Sequence, residues 1–124
     1  LVAGCDGILI SCPEYAHGVP GAFKNALDWL VSSGELGGKP TALLMASPSG
    51  AQRAQAALVP TLKVLEADLV FEASLRFART HLGPDGQLVD AELVAVVKQA
   101  LAALATAIRA QEQARDQAPA PAQD

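Results

Sequence analysis

Two continuous apolar runs, "GILISC" at 7–12 and "TALLMAS" at 41–47, constrain this chain more than any other feature. Neither alternates polar with apolar residues, so neither reads as a strand with one wet face. Each reads as a strand buried on both faces, as in a parallel sheet. Parallel neighbours need a crossover between them, and the intervening residues supply one. Pro20 suits the first turn of a helix, where its missing N–H costs nothing. Beyond it Phe23, Ala26, Leu27, Leu30 and Val31 recur at helical spacing. Gly34, in the connector "SSGELGGKP" (32–40), is placed to end that helix.

The same alternation continues. Ala51, Ala54, Leu58, Leu62 and Leu65 form a second helical stripe, with Pro60 inside it predicting a kink or a break. "DLVFE" (68–72) reads as a third, shorter strand, while 73–88 show little periodicity and contain the turn signal "GPDG". Asp90 is a good N-cap for a last helix with the stripe Leu93, Val97, Ala100, Leu101, Leu104 and Ile108. The order β-α-β-α-β-α, with right-handed crossovers, predicts an open parallel α/β sheet. One domain is expected over 1–115, and "QAPAPAQD" within 116–124 predicts a disordered tail.

Composition narrows the function classes. With 51% hydrophobic and 18% charged residues the chain is globular rather than disordered. A net charge of −4, with nine scattered cations, argues against nucleic acid or an anionic membrane as partner. No uninterrupted apolar run reaches the ~18 residues of a membrane span, and no basic-then-apolar leader opens the sequence. Cys5 and Cys12 fit neither a redox pair nor a zinc knuckle, so no metal site is expected. Reduced thiols in a cytoplasmic protein are the simplest reading.

In sheets of this kind ligands bind outside the carboxyl ends of the strands. Two strand ends here carry unusual loops, "CPEYAHGVPG" and "SPSG". The first can present main-chain groups to a planar heterocycle while Tyr15 and His17 supply contact area, or it can be a rigid corner with Tyr15 packed on the sheet edge. Ser47, Ser49 and Gly50 can let a flat ligand approach the main chain, or can simply cap a helix. His17 invites a reading as a catalytic base but has no partner nearby in the sequence, so it reads as a surface histidine, and Trp29 reads as a core or interface residue. Arg53, Arg76 and Arg79 can meet phosphate groups but read more simply as solvated or ion-paired surface, and His81 is given no role.

"PEYAHGVPGAFKNALDWL" strongly resembles the P-E-Y-N-x-x-x-P-G-x-L-K-N-A-x-D-W block of the NAD(P)H-dependent FMN reductases, a flavodoxin-like family of quinone, chromate and azo-dye reductases. The resemblance runs from Gly7 to about Arg109. It implies the last three strands and three helices of a flavodoxin-like, three-layer sheet. It also implies that the family's first strand, phosphate loop, first helix and second strand lie outside these residues. Pro13, Glu14, Tyr15 and Ala16 would run alongside the flavin ring, with Ser47, Pro48, Ser49 and Gly50 as the second flavin loop. Ala16 stands where the family usually has Asn, and "AQRAQ" replaces a Gly-Gly pair after Gly50.

The implied activity is an FMN-dependent NAD(P)H oxidoreductase. Hydride would pass from reduced nicotinamide through FMN to a quinone, azo, metal-oxyanion or flavin acceptor. No protein acid or base is expected, because the cofactor carries the chemistry. The resemblance also implies a homodimer or homotetramer, with Glu14, Lys24 and Trp29 near the subunit contact. The alternative is a non-catalytic or truncated flavodoxin-like interaction module that no longer binds flavin.

Overall fold

The computed structural model describes residues 1–118. Its elements are β1 (Ile8–Cys12), α1 (Gly21–Ser33), β2 (Pro40–Ser47), α2 (Gln52–Val64), β3 (Asp68–Arg76) and α3 (Ala91–Gln117), with a 3₁₀ turn at Arg79–His81. The three strands form one parallel sheet in the order β1-β2-β3. This is the flavodoxin-like α/β arrangement the sequence predicts, and its three layers follow from two separate cores. Ile10, Cys12, Leu43 and Met45 pack beneath Leu27 of α1 and beneath Ala54, Leu58 and Leu62 of α2. On the opposite face Ala42 and Leu44 pack against Ala100 and Leu104 of α3.

The apolar runs differ in what covers them. β2 is the central strand and is buried along almost its whole length. β1 is not buried on both faces as predicted: Ile10 and Cys12 are buried, while Leu9 is 41% exposed and Ser11 is exposed. The reason is position, because β1 pairs on one side only and α3 lies chiefly over β2 and β3. α3 crosses the sheet at the start of β1, where a Cβ on Gly7 would stand 2.6 Å from Ile108 Cδ1.

Three other expectations need correction. β3 is the longest strand rather than the shortest, running nine residues to Arg76. α2 passes through Pro60 without a break. Pro60 and Ala56, whose carbonyl loses its helical partner, both lie on the exposed face. α3 stays helical to Gln117, past the tail boundary set at Asp116, with Ala118 as its C-cap; residues 119–124 fall outside the described residues.

α3 has 27 residues and a mean hydropathy of 1.6 over its most apolar 18, enough by length and composition to cross a membrane. Much of that hydropathy comes from alanines such as Ala95 and Ala102 on its exposed side. In the structure α3 lies along the sheet through Ala100 and Leu104.

Candidate active site

Both unusual loops leave the carboxyl edge of the sheet, because β1 and β2 run parallel with Cys12 beside Met45. The first loop folds back on itself. Tyr15 N–H donates to Gly18 O at 3.0 Å, and Gly18 N–H donates to Tyr15 O at 2.9 Å. Ala16 and His17 between them have φ of 49° and 63°. Two left-handed residues between paired ends make a type I′ turn, which favours Asn and Gly. Holding an L-residue such as Ala16 left-handed costs about 1–2 kcal/mol.

The turn lifts Tyr15 into solvent, 65% exposed, so it is not packed on the sheet edge. Glu14 goes the other way. Its side chain is only 7% exposed, and its Oε2 accepts from Ala54 N–H, across the gap to α2, at 2.8 Å. His17 Nδ1 stands 3.5 Å from the other oxygen. The Ala54 hydrogen bond, helped by His17 and the Arg53 N–H and opposed by burial, holds the Glu14 carboxyl below its ordinary value of 4.5.

That depression has a sign in stability. A carboxyl whose folded value is lowered contributes fully above about pH 4.5, and loses the contribution as pH falls through the lower folded value. Denaturant midpoints measured from about pH 5 down to about pH 3 should therefore fall more steeply for the native chain than for Glu14→Gln. Parallel profiles would show that the Ala54 bond does not favour the ionised form.

The second loop is a closed turn. Ser47 Oγ donates to Gly50 O at 2.6 Å, and Gly50 N–H donates to Ser47 O at 3.1 Å. Gly50, at φ 82°, makes the bend possible. Neither serine caps α2, whose N-cap position is Ala51 and has no side-chain cap. Pro48 and Ser49 are exposed, whereas Ser47 and Gly50 are buried.

Two tethers, one to β3 and one to the residue just after it, complete the edge. Ala51 N–H donates to Ser74 Oγ at 3.0 Å, and Phe77 N–H donates to Ser47 O at 2.9 Å. Sequence reasoning singled out neither Ser74 nor Phe77. His81 has a structural part: its Nδ1 accepts from Ala78 N–H at 3.0 Å. Trp29 is 75% exposed and so is not a core residue. Cys5 and Cys12 are both free thiols, and burial pushes the Cys12 thiol up.

A family model described as NADPH-dependent FMN reductase matches residues 1–82. The chain belongs to that family. An NAD(P)H-dependent FMN reductase of Pseudomonas aeruginosa is 32% identical over 114 residues, covering 87% of this chain and 62% of that protein. A quinone reductase of Escherichia coli is 41% identical over 66 residues, covering 50% of this chain and 35% of its own. Among solved structures, the flavoenzyme NAD(P)H:(acceptor) oxidoreductase FerB of Paracoccus denitrificans superposes with a TM-score of 0.65 at 25% identity. That match covers 87% of this chain and 62% of FerB. The chain thus spans less than two-thirds of the length of these relatives. In this chain the block at 13–30 forms the first loop and most of α1.

Proposed function

We propose that the chain forms the ring-side edge of an FMN-dependent NAD(P)H oxidoreductase. Its acceptors would be small molecules: quinones, azo compounds, metal oxyanions or free flavin. The observation that carries the reading is the Glu14–Ala54 bond at 2.8 Å, which ties the first loop to the helix that follows the second. The names of the relatives, a quinone reductase among them, support the acceptor class.

The residues present fit a flavin ring. Pro13, Glu14, Tyr15 and Ala16 would line one side, and Ser47, Pro48, Ser49 and Gly50 the other. Tyr15 offers an exposed aromatic surface. Ser49 is exposed beside a turn whose ends are already bonded to each other. Glu14 is turned towards the amino-terminal end of α2, so its charge is engaged there rather than free at the edge. When bound, FMN supplies the two-electron redox chemistry. The protein's part is to position the ring and to offer main-chain donors to it, with no acid or base of its own.

A homodimer or homotetramer through α1 belongs to the same reading. Trp29 and Val31 support it, at 75% and 64% exposed. A cytoplasmic location accords with the two free thiols. The same apolar surface also favours the rival reading, an interaction module without flavin, and bound yellow colour in the purified protein distinguishes the two.

Flavin titration of two variants tests the site. Tyr15→Ala should weaken FMN binding roughly tenfold, because it removes a large planar surface. His17→Ala, which removes only the 3.5 Å approach to Glu14, should weaken it by less than about threefold. A larger loss for His17→Ala would overturn the assignment of Tyr15 to the ring.

A further inference from the structure

α2 begins badly by its own sequence. Its N-cap residue is alanine, its first turn holds no acidic side chain, and neither loop serine reaches its free N–H groups. A helix start left so normally takes a Ser, Thr, Asp or Asn cap from the residue just before it. Here the acceptor comes from 40 residues away, as the carboxylate of Glu14 on the third helical N–H, that of Ala54.

The supplier sits between Pro13 and Tyr15, at the root of the two-residue turn. Glu14 therefore cannot shift without carrying Tyr15 with it. Ala54 belongs to the helix that starts directly behind the Ser47–Gly50 turn; Ser47 O accepts from Phe77 N–H just past β3, and the N-cap Ala51 N–H donates to Ser74 of β3. The bond joins a left-handed turn standing in solvent to a helix whose Ala54, Leu58 and Leu62 are packed in the core. We propose that Glu14 is a positioning residue: its carboxylate caps α2 from the neighbouring loop and so sets the spacing of the two loops that would hold the flavin ring. The inference rests on the flavin-edge reading for its consequence, but the strut itself can be tested without flavin.

Amide hydrogen exchange on the full chain, followed residue by residue, separates a strut from a simple cap. In Glu14→Ala the Ala54 amide should exchange roughly tenfold faster, as expected for a lost cap. The Tyr15 and Gly18 amides, which close the turn, should accelerate by a similar factor although neither bonds to Glu14. Glu14→Gln, which keeps an acceptor of the same length, should stay within about threefold of the native chain at all three amides. Adding Ala51→Ser to Glu14→Ala gives α2 a local cap. Protection should then return at Ala54 but not at Tyr15 or Gly18.

FMN affinity should follow the turn and not the helix, falling about tenfold in Glu14→Ala and staying low with Ala51→Ser added. Native exchange at Tyr15 and Gly18 in Glu14→Ala, or their recovery with Ala51→Ser, would overturn the proposal and leave Glu14 a cap only. Should Glu14→Ala not fold, Glu14→Asp, one methylene too short for the span, gives the same two readouts. A native chain with no FMN affinity would sink the flavin reading, while the exchange results would still decide the strut.

Discussion

Leu58→Ala should cost about 2–5 kcal/mol of unfolding free energy, the usual range for deleting a buried leucine side chain. Leu58 is 0% exposed and lies in the middle of the α2 stripe, in one cluster with Leu43 and Met45 of β2. α2 also carries the Ala54 N–H to which the first loop is tied, so the cavity would loosen the carboxyl edge as well as the core. Val64→Ala is the internal control. Val64 is on the same helix but 80% exposed, and its truncation should change stability by no more than about 0.5 kcal/mol. Urea denaturation of the two variants gives the comparison. Equal midpoints would show that the α2 stripe is not the face that packs on the sheet.

The second large effect concerns association. The chain should sediment as assemblies larger than an α1-mediated dimer or tetramer, and Leu9→Lys should shift it strongly towards smaller species. Among the described residues β1 pairs with β2 on one side and with nothing on the other. Its sequence lacks the charges and prolines with which exposed sheet edges discourage pairing. Leu9, 41% exposed, adds apolar surface at that edge. A lysine there keeps the strand but places a charge where a second strand would have to dock. Sedimentation velocity over a concentration series decides it. A monomer at every concentration would overturn the edge argument, and assemblies unaffected by Leu9→Lys would move the contact to the exposed Trp29 and Val31 of α1.

The sequence by itself determined the layers, because burial is written locally in runs and stripes. "TALLMAS" is continuous and became the central strand. Ala51, Ala54, Leu58, Leu62 and Leu65 recur at helical spacing, and all five are buried. Gly34 ends α1 in the left-handed conformation that a glycine C-cap allows. Asp90 caps α3 through Leu93 N–H. The two candidate loops were legible for the same reason, since polar and small residues stand directly after apolar runs.

Only the tertiary structure decided what depends on pairs far apart in the chain. "GILISC" reads like "TALLMAS", yet its outer position leaves Leu9 and Ser11 uncovered, and no local pattern encodes which strand lies at an edge. Leu36 sits in a glycine-rich connector with no periodicity to betray it, but is 1% exposed because the connector folds over the α1 and α2 side of the core. The serines of "SPSG" look like helix caps and instead close their own turn, while Glu14, in another loop, caps α2. A hydrogen bond between residues 14 and 54 leaves no mark on either segment alone. Its partners meet only because parallel strands deliver both loops to one edge of the sheet.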